Sequence, residues 1–160
     1  MPETDQSRYV GRPLKRMEDP KLIRGQGQYV EDLKLPGLAY LAFLRSPYAH
    51  ARVIAIRTDA ARKAPGVIRV VTAKDLGPLH PLSFLVALPG MKQARCQYLA
   101  DEVVDSTGVP VAAVVAESPS LARDAIDLIE VEYEPLPAVS DPELALQPGA
   151  PLAHPELGTN

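Results

Sequence analysis

The order of apolar and polar residues along the chain predicts short strands that alternate with short helices. Residues 38–44 are all apolar or aromatic and predict a buried strand, and residues 67–72 predict a strand rich in β-branched side chains. Residues 52–56 alternate enough between polar and apolar positions to predict another strand. Further short strands are predicted at residues 29–30, 103–104, 110–116 and 131–134.

The clearest helix is predicted after Ser118, which is a typical N-cap residue and precedes Pro119. Shorter helical stretches are predicted after Thr58 and at residues 73–76 and 141–146. The alternation of strands and helices favours an α+β sandwich of modest size. One apolar stripe is predicted along the main helix, formed by Leu121, Ala122, Ala125, Leu128 and Ile129.

Composition and charge narrow the function classes. The 160 residues are 46% hydrophobic, which permits a packed core, and the formal charge is −3 without any long basic run. We therefore expect no nucleic-acid surface. No apolar run approaches the roughly 20 residues of a membrane span, and the N-terminus lacks the apolar region of a signal peptide. We therefore expect a cytoplasmic protein without a membrane span.

Two motifs offer weak catalytic or binding signals. Gly25-Gln26-Gly27 resembles half of a dinucleotide loop, but it lacks a third glycine and a preceding strand, so a turn is favoured. His50 has no metal-ligating neighbour in the sequence, which favours a structural hydrogen bond over catalysis. His80 and His154 lie far from it in loop-like segments, and only the fold can bring the three together.

The remaining candidates also have simpler interpretations. Cys96 follows an arginine but has no visible base, which favours an incidental thiol over a nucleophile, and a single cysteine excludes an internal disulfide. Ser46 is interpreted as a turn hydroxyl. A row of carboxylates is interpreted as a solvated strand face or partner contact rather than a cation site: Glu130, Glu132 and Glu134. These residues do not assemble a complete active site.

Short motifs follow one another in a fixed order between residues 16 and 137. They are Arg16-Met17-Glu18-Asp19-Pro20, Gly25-Gln26-Gly27, Leu35-Pro36-Gly37, Leu44-Arg45-Ser46-Pro47-Tyr48-Ala49-His50-Ala51, Thr72-Ala73-Lys74-Asp75-Leu76, Pro110-Val111-Ala112 and Val131-Glu132-Tyr133-Glu134-Pro135-Leu136-Pro137. Together they resemble the N-terminal α/β-hammerhead domain of the molybdenum-binding large subunit in the xanthine dehydrogenase/aldehyde oxidase family. The pattern is most similar to bacterial large subunits of the carbon-monoxide-dehydrogenase type.

The resemblance implies a fold and a domain organisation. The fold is an α/β-hammerhead, with a mixed sheet and two main helices, and it is expected over residues 14–146. Residues 1–13 are expected to form a flexible arm. Residues 147–160 are expected to begin a linker toward a cofactor-binding domain that this chain lacks.

The resemblance also implies a function for the whole enzyme. Such molybdenum hydroxylases oxidise carbon monoxide, aldehydes or N-heterocycles with molybdopterin cytosine dinucleotide, iron–sulfur clusters and FAD. These groups belong to other domains or subunits, so no catalytic, cofactor-binding or metal residue is assigned here. This chain is expected to shape the surroundings of the cofactor and to be inactive alone. By resemblance, Phe84, Leu85 and Leu88 are candidates to line a substrate channel, with core packing as the competing interpretation.

The expected partners are a molybdenum-cofactor domain or subunit, and iron–sulfur and FAD subunits. An isolated domain would expose its docking patch, so a homodimer is also predicted. The chain departs from the family pattern around Gly108, where Asp105, Ser106 and Val109 replace basic, aromatic and polar residues. This departure motivates an alternative function, that of a free-standing interaction module that keeps the hammerhead scaffold without an enzyme.

Overall fold

The computed structural model describes residues 13–77, 79, 88–94 and 96–160. The chain divides into two compact units, Met1–Gly37 and Leu38–Asn160. The boundary between these units separates two compact parts of the chain and does not test the predicted domain at residues 14–146. The limits of that domain stay a prediction. None of the helices in the described ranges is long and apolar enough to cross a membrane.

From residue 13 onward, the first unit contains one short helix, α1 (Asp19–Ile23), and a 3₁₀ turn at Val30–Asp32. The Asp32 carboxylate accepts a hydrogen bond from the backbone N–H of Tyr29 at 2.9 Å. The strand predicted at residues 29–30 is therefore wrong, because this local bond helps to hold the backbone in a turn.

The two glycines after α1 form the predicted turn. Gly25 has a φ of +67°, a region that favours glycine, and its N–H donates to the carbonyl of Leu22 at 3.1 Å. At Gly27, an added Cβ would lie 2.9 Å from a Leu22 methyl group. Close packing and turn geometry therefore account for both glycines, and the dinucleotide-loop alternative is not needed.

The described residues of the second unit form six strands in two three-stranded sheets. The first sheet has the order β1-β5-β3 and the second sheet has the order β4-β2-β6. The pairings within both sheets are antiparallel, so the described strands form two antiparallel sheets instead of one mixed sheet. The strands are β1 (Tyr40–Arg45), β2 (Ala51–Arg57), β3 (Val67–Thr72), β4 (Val103–Val104), β5 (Pro110–Ala116) and β6 (Glu130–Pro135).

The helices of the second unit are short. Only α4 is longer than one turn in the described ranges, whereas two main helices were predicted. The helices are α2 (Asp59–Arg62), α3 (Ala73–Leu76), α4 (Pro119–Ile126) and α5 (Pro142–Ala145), and a 3₁₀ turn follows at Pro155–Leu157.

Strand β5 lies at the centre of the first sheet and is almost entirely apolar. Pro110 is its first residue, which satisfies the expectation that a residue without an N–H begins a strand or lies at an edge. Val114 and Ala112 point to one side and pack with Val70 of β3 in a buried cluster. Ala125 of α4 completes this side of the core, so the helix covers one face of the first sheet.

Helix α4 begins where the sequence predicts. The Ser118 hydroxyl accepts a hydrogen bond from the backbone N–H of Leu121 at 3.2 Å, and Pro119 is the first helical residue. Because the helix ends at Ile126, Leu128 leaves the predicted stripe and is exposed, while Ile129 still packs into the core.

Helix α2 also begins where predicted, but the side chain of Thr58, the residue before it, does not form the predicted cap. The Thr58 hydroxyl does not cap the backbone; it accepts a hydrogen bond from the Arg62 guanidinium at 2.9 Å. Gly66 ends the following turn with a φ of +70°, and an added Cβ there would lie 2.5 Å from a Leu121 methyl group. The Pro65-Gly66 stop is thus required by both backbone conformation and space.

The prediction that residues 38–44 form a buried strand is only half correct. Strand β1 alternates between half-buried and exposed positions, and Leu41 and Phe43 remain 56% and 41% exposed. The reason is that β1 is an edge strand whose partner β5 is covered by α4 on one face only.

Residues 147–160, predicted to begin a linker, make specific hydrogen bonds within the second unit. The Asn160 side chain donates to the carbonyls of Ala145 and Pro151 at 3.1 and 2.9 Å and accepts from the N–H of Ala153 at 3.0 Å. The Lys92 ammonium donates to the carbonyl of Leu157 at 2.7 Å. The segment is therefore ordered on the domain, and its role as a linker stays a prediction.

Candidate functional site

The turn between β1 and β2 is built around one buried hydroxyl. Ser46 is 2% exposed, and its backbone N–H donates to the carbonyl of Val109 while its carbonyl accepts from the N–H of Gly108, both at 2.9 Å. Its hydroxyl accepts from the N–H of Tyr48 at 3.0 Å. The predicted turn role of Ser46 is confirmed, and these bonds tie the turn to the loop before β5.

Two tyrosines pack beside this turn. The rings of Tyr48 and Tyr133 lie 5.1 Å apart at an angle of 50°. Burial raises the pKa of the Tyr133 phenol, and a hydrogen bond with Ser46 opposes part of that rise. The phenol therefore stays protonated at neutral pH and stabilises the corner.

His50 forms the structural hydrogen bond that the sequence favours. Its Nδ1 lies 2.7 Å from the carbonyl oxygen of Pro137, and its own carbonyl accepts from the N–H of Leu136 at 2.9 Å. Because a carbonyl oxygen only accepts, Nδ1 carries the proton in this contact. The imidazole thus fastens the end of β6 to the start of β2.

His50 also borders a cleft of the second unit, which has a volume of about 730 Å³. Residues from β2, the loop before β5 and the segment after α5 form its walls. Its ionisable side chains are His50, Arg52, Cys96, Glu102, Asp105, His154 and Glu156. A smaller cavity of about 220 Å³ also includes His50 and Asp105 among its lining residues.

His154 is the second histidine of this cleft. Its Nε2 lies 3.8 Å from an Asp105 carboxylate oxygen, and its Nδ1 lies 3.5 Å from a Glu156 carboxylate oxygen. The fold therefore brings two of the three histidines to one cleft, and His80 lies outside the described residues. In the ranges described, no three His, Cys, Asp or Glu side chains lie close enough to hold a metal ion.

Cys96 lies at the edge of the cleft and has an exposed, free thiol. Among the described residues, no group of His, Cys, Asp and Glu side chains at this position could hold a metal ion. The neighbouring residue, Arg95, is not described. The described residues thus supply no metal-ligating group at this thiol, and the incidental thiol favoured by the sequence stays a prediction.

The carboxylate row on β6 faces arginines on β2. Arg57 lies 3.0 Å from Glu132 and 3.7 Å from Glu130, and Arg52 lies 3.3 Å from Glu134. All of these side chains are more than half exposed. Cross-strand ion pairs on a solvated face therefore account for the row, as an alternative to a cation site.

A molybdopterin dinucleotide, which the resemblance implies, carries negative phosphate groups that need cations or free backbone N–H donors. The cleft has three carboxylates, from Glu102, Asp105 and Glu156, and its one arginine, Arg52, already pairs with Glu134. The side chains of this cleft therefore do not fit this cofactor.

Of the candidate channel residues, only Leu88 lies in the described part of the chain. Its side chain is 64% exposed and borders neither cavity. Phe84 and Leu85 lie outside the described residues. The channel-lining role of these three residues stays a prediction.

Sequence reasoning did not find two features of the site. The approach of His154 to Asp105 joins residues 49 positions apart, and the Asn160 hydrogen bonds hold a segment whose many prolines and glycines indicated a linker. Neither feature has a local sequence signal, because both depend on the path of the chain after α5.

The aldehyde oxidase and xanthine dehydrogenase a/b hammerhead domain model matches residues 24–137. The chain is 46% identical over 148 residues to the carbon monoxide dehydrogenase large chain of Afipia carboxidovorans, an alignment that covers 92% of this chain and 18% of the relative. It is 38% identical over 152 residues to the nicotine 6-hydroxylase large subunit of Paenarthrobacter nicotinovorans, covering 94% and 18%.

Solved structures agree with these sequence matches. Quinoline 2-oxidoreductase from Pseudomonas putida 86 is similar with a TM-score of 0.81 and 40% identity, over 92% of this chain and 19% of that chain. The Cu,Mo-CO dehydrogenase is similar with a TM-score of 0.76 and 45% identity, over 89% and 17%. The predicted resemblance and fold class are confirmed, and this chain spans less than a fifth of the length of these relatives.

Proposed function

Because the chain belongs to the aldehyde oxidase and xanthine dehydrogenase a/b hammerhead domain family, we propose that it is the N-terminal structural domain of a molybdenum hydroxylase large subunit. The observation that carries this proposal is the match of nearly the whole chain to one small part of much longer large subunits. The domain forms part of the wall around the cofactor and substrate, and chemistry takes place on the remainder of the enzyme.

The pairing of its polar side chains supports a structural role. His50 is held by the Pro137 carbonyl, and Ser46 is used within its turn. Arg52 and Arg57 are paired with carboxylates of β6. Side chains that are engaged in such hydrogen bonds and ion pairs stabilise a scaffold. These four side chains do not form a nucleophile with a general base beside it.

For the complete enzyme, we propose a molybdopterin cytosine dinucleotide cofactor, iron–sulfur clusters and FAD, the last two on separate subunits. The substrate class is carbon monoxide, an aldehyde or an N-heterocycle, since relatives include a carbon monoxide dehydrogenase, a nicotine 6-hydroxylase and a quinoline 2-oxidoreductase. Phe84, Leu85 and Leu88 are retained as proposed channel residues, and the proposed location is the cytoplasm.

The test is to purify the tagged full chain from its source organism and, separately, from a host that produces it alone. We expect molybdenum and a molybdenum-binding polypeptide with the chain from its own organism. The chain produced alone should contain no molybdenum and oxidise no aldehyde or N-heterocycle. Stoichiometric molybdenum on the chain produced alone would contradict the structural role. A chain from its own organism without a molybdenum polypeptide would favour the free-standing interaction module.

A further inference from the structure

The face of the first sheet opposite α4 is apolar and partly uncovered. The strand register places Leu41, Val115 and Arg69 in one row and Phe43, Ala113 and Val71 in the next. The other side of the same strands packs against α4. We call the rows Leu41-Val115-Arg69 and Phe43-Ala113-Val71, on the side away from α4, the outer face. Of its apolar members, Leu41 and Phe43 are exposed, Val71 and Val115 are half-buried, and Ala113 is buried.

Strand β1 lies at the edge of the sheet, and its only protective features, a charge and a shift in register, are at its last residue, Arg45. Edge strands of soluble proteins usually carry inward charges, prolines or bulges, or another element covers them. Residues 40–44 contain no charge and no proline, and Leu41 and Phe43 are 56% and 41% exposed. By contrast, edge strand β6 carries three glutamates. An apolar edge that lacks charge and proline over residues 40–44 is expected to be covered by another surface.

The charge at the outer face determines what covers it. Arg69 lies in the first row, and no carboxylate of a described residue lies within 4 Å of its guanidinium. Arg45 lies at the end of β1, 5.7 Å over the Phe43 ring, and donates to the carbonyl of Gly108 at 2.8 Å. The two rows themselves contain no acidic residue.

We infer that the outer face docks an apolar, carboxylate-bearing surface of the molybdenum-binding part of the enzyme. A second copy of the outer face would bring apolar surface but no carboxylate for Arg69. Relatives that contain the matched segment continue for several times its length, so the required surface has a source in the same enzyme. This inference rests on the proposed function, since it names the partner through which the domain joins the enzyme.

The test uses the tagged full chain in its source organism and measures the molybdenum that co-purifies. Changing both Leu41→Glu and Phe43→Glu removes apolar contact and places carboxylates against an acidic partner, so co-purified molybdenum should fall about tenfold or more. Arg69→Glu should lower it several-fold. The matched control is Ile54→Glu on β2, at a position 51% exposed and outside the outer face, and it should retain wild-type molybdenum.

Two further readouts keep the test decisive. Circular dichroism of each variant produced alone verifies folding, and amide exchange at residues 40–45 should slow in the wild-type complex relative to the free chain. Retention of molybdenum by both outer-face variants would overturn this inference alone. Absence of molybdenum from the wild-type preparation would overturn the proposed function as well. A wild-type homodimer that the Leu41→Glu, Phe43→Glu change dissociates, without molybdenum, would identify a second copy as the occupant and overturn the inference.

Discussion

The two sheets of the second unit are stabilised in different ways. In the first sheet, the central strand β5 is buried under α4, and its edge strand β1 is apolar. In the second sheet, the edge strand β6 forms exposed ion pairs with β2. Apolar burial contributes far more free energy per residue than exposed ion pairs do. The second sheet also has a buried cluster, in which Ala51 of β2 and Val104 of β4 pack with Val111 of β5. The difference between the sheets therefore lies at their edges, where β1 is apolar and β6 is ion-paired.

The largest expected effect comes from the core beneath α4. Ile129→Ala should lower the free energy of unfolding by about 3 kcal/mol, because it leaves a cavity in the buried cluster around Val114. Urea denaturation measures this change. Ile54→Ala, at an exposed position of the second sheet, is the matched control and should change stability by less than about 1 kcal/mol. Equal losses in the two variants would show that the cluster beneath α4 does not determine the stability of the domain.

A smaller, pH-dependent effect is expected where β3 ends. Asp75 accepts hydrogen bonds from the Thr72 N–H and hydroxyl at 2.8 and 2.7 Å, and these bonds lower the pKa of its carboxyl below the usual 3.8, with Arg62 adding to the effect. A lowered pKa in the folded state means that the unfolded state binds more protons, so stability rises with pH in this range. The contribution is present above about pH 4 and is lost as the pH falls through the folded-state pKa.

Asp75→Asn should therefore be less stable than the wild type at pH 6, and this difference should shrink toward pH 3. Urea denaturation at both pH values measures it. Asp59→Asn is a suitable control, because Asp59 begins a helix of similar length. A difference for Asp75→Asn that is the same at both pH values would show that the carboxylate charge does not act in this cap.

The smallest effect is expected for the ion pairs of the second sheet. Arg57→Gln should change the free energy of unfolding by about 0.5 kcal/mol or less, because both partners are largely exposed. Thermal denaturation at low salt and at about 1 M salt measures it, and the difference should vanish at high salt. A loss of several kcal/mol that persists at high salt would show that the two sheets depend equally on their edges.

Most secondary structure could be predicted because its signals are local. Strand β3 and helix α3 occupy the predicted residues, and the Ser118 cap and Pro119 begin α4 as expected. Predictions failed where a partner element decides the outcome. Residues 38–44 are apolar, but their burial depends on whether a second layer covers both faces of the sheet.

The candidate site could be predicted only residue by residue. A structural role for His50 followed from its isolation in the sequence, but its partner Pro137 lies 87 positions away. The glutamate row was correctly described as a strand face, while the arginines that neutralise it follow from the register between β2 and β6. His154 and Asp105 meet only because the segment after α5 returns to the domain.

The sequence by itself determined the Ser46 turn, the Ser118 cap, most of the order of strands and helices, and membership of the family, because each rests on neighbouring residues or on ordered motifs. Only the tertiary structure decided that the strands form two antiparallel sheets, which face stays uncovered and which side chains share the cleft. The physical reason is the distance along the chain over which each interaction acts. Backbone conformation responds to residues a few positions away, whereas burial and ion pairing depend on surfaces that chain folding brings together.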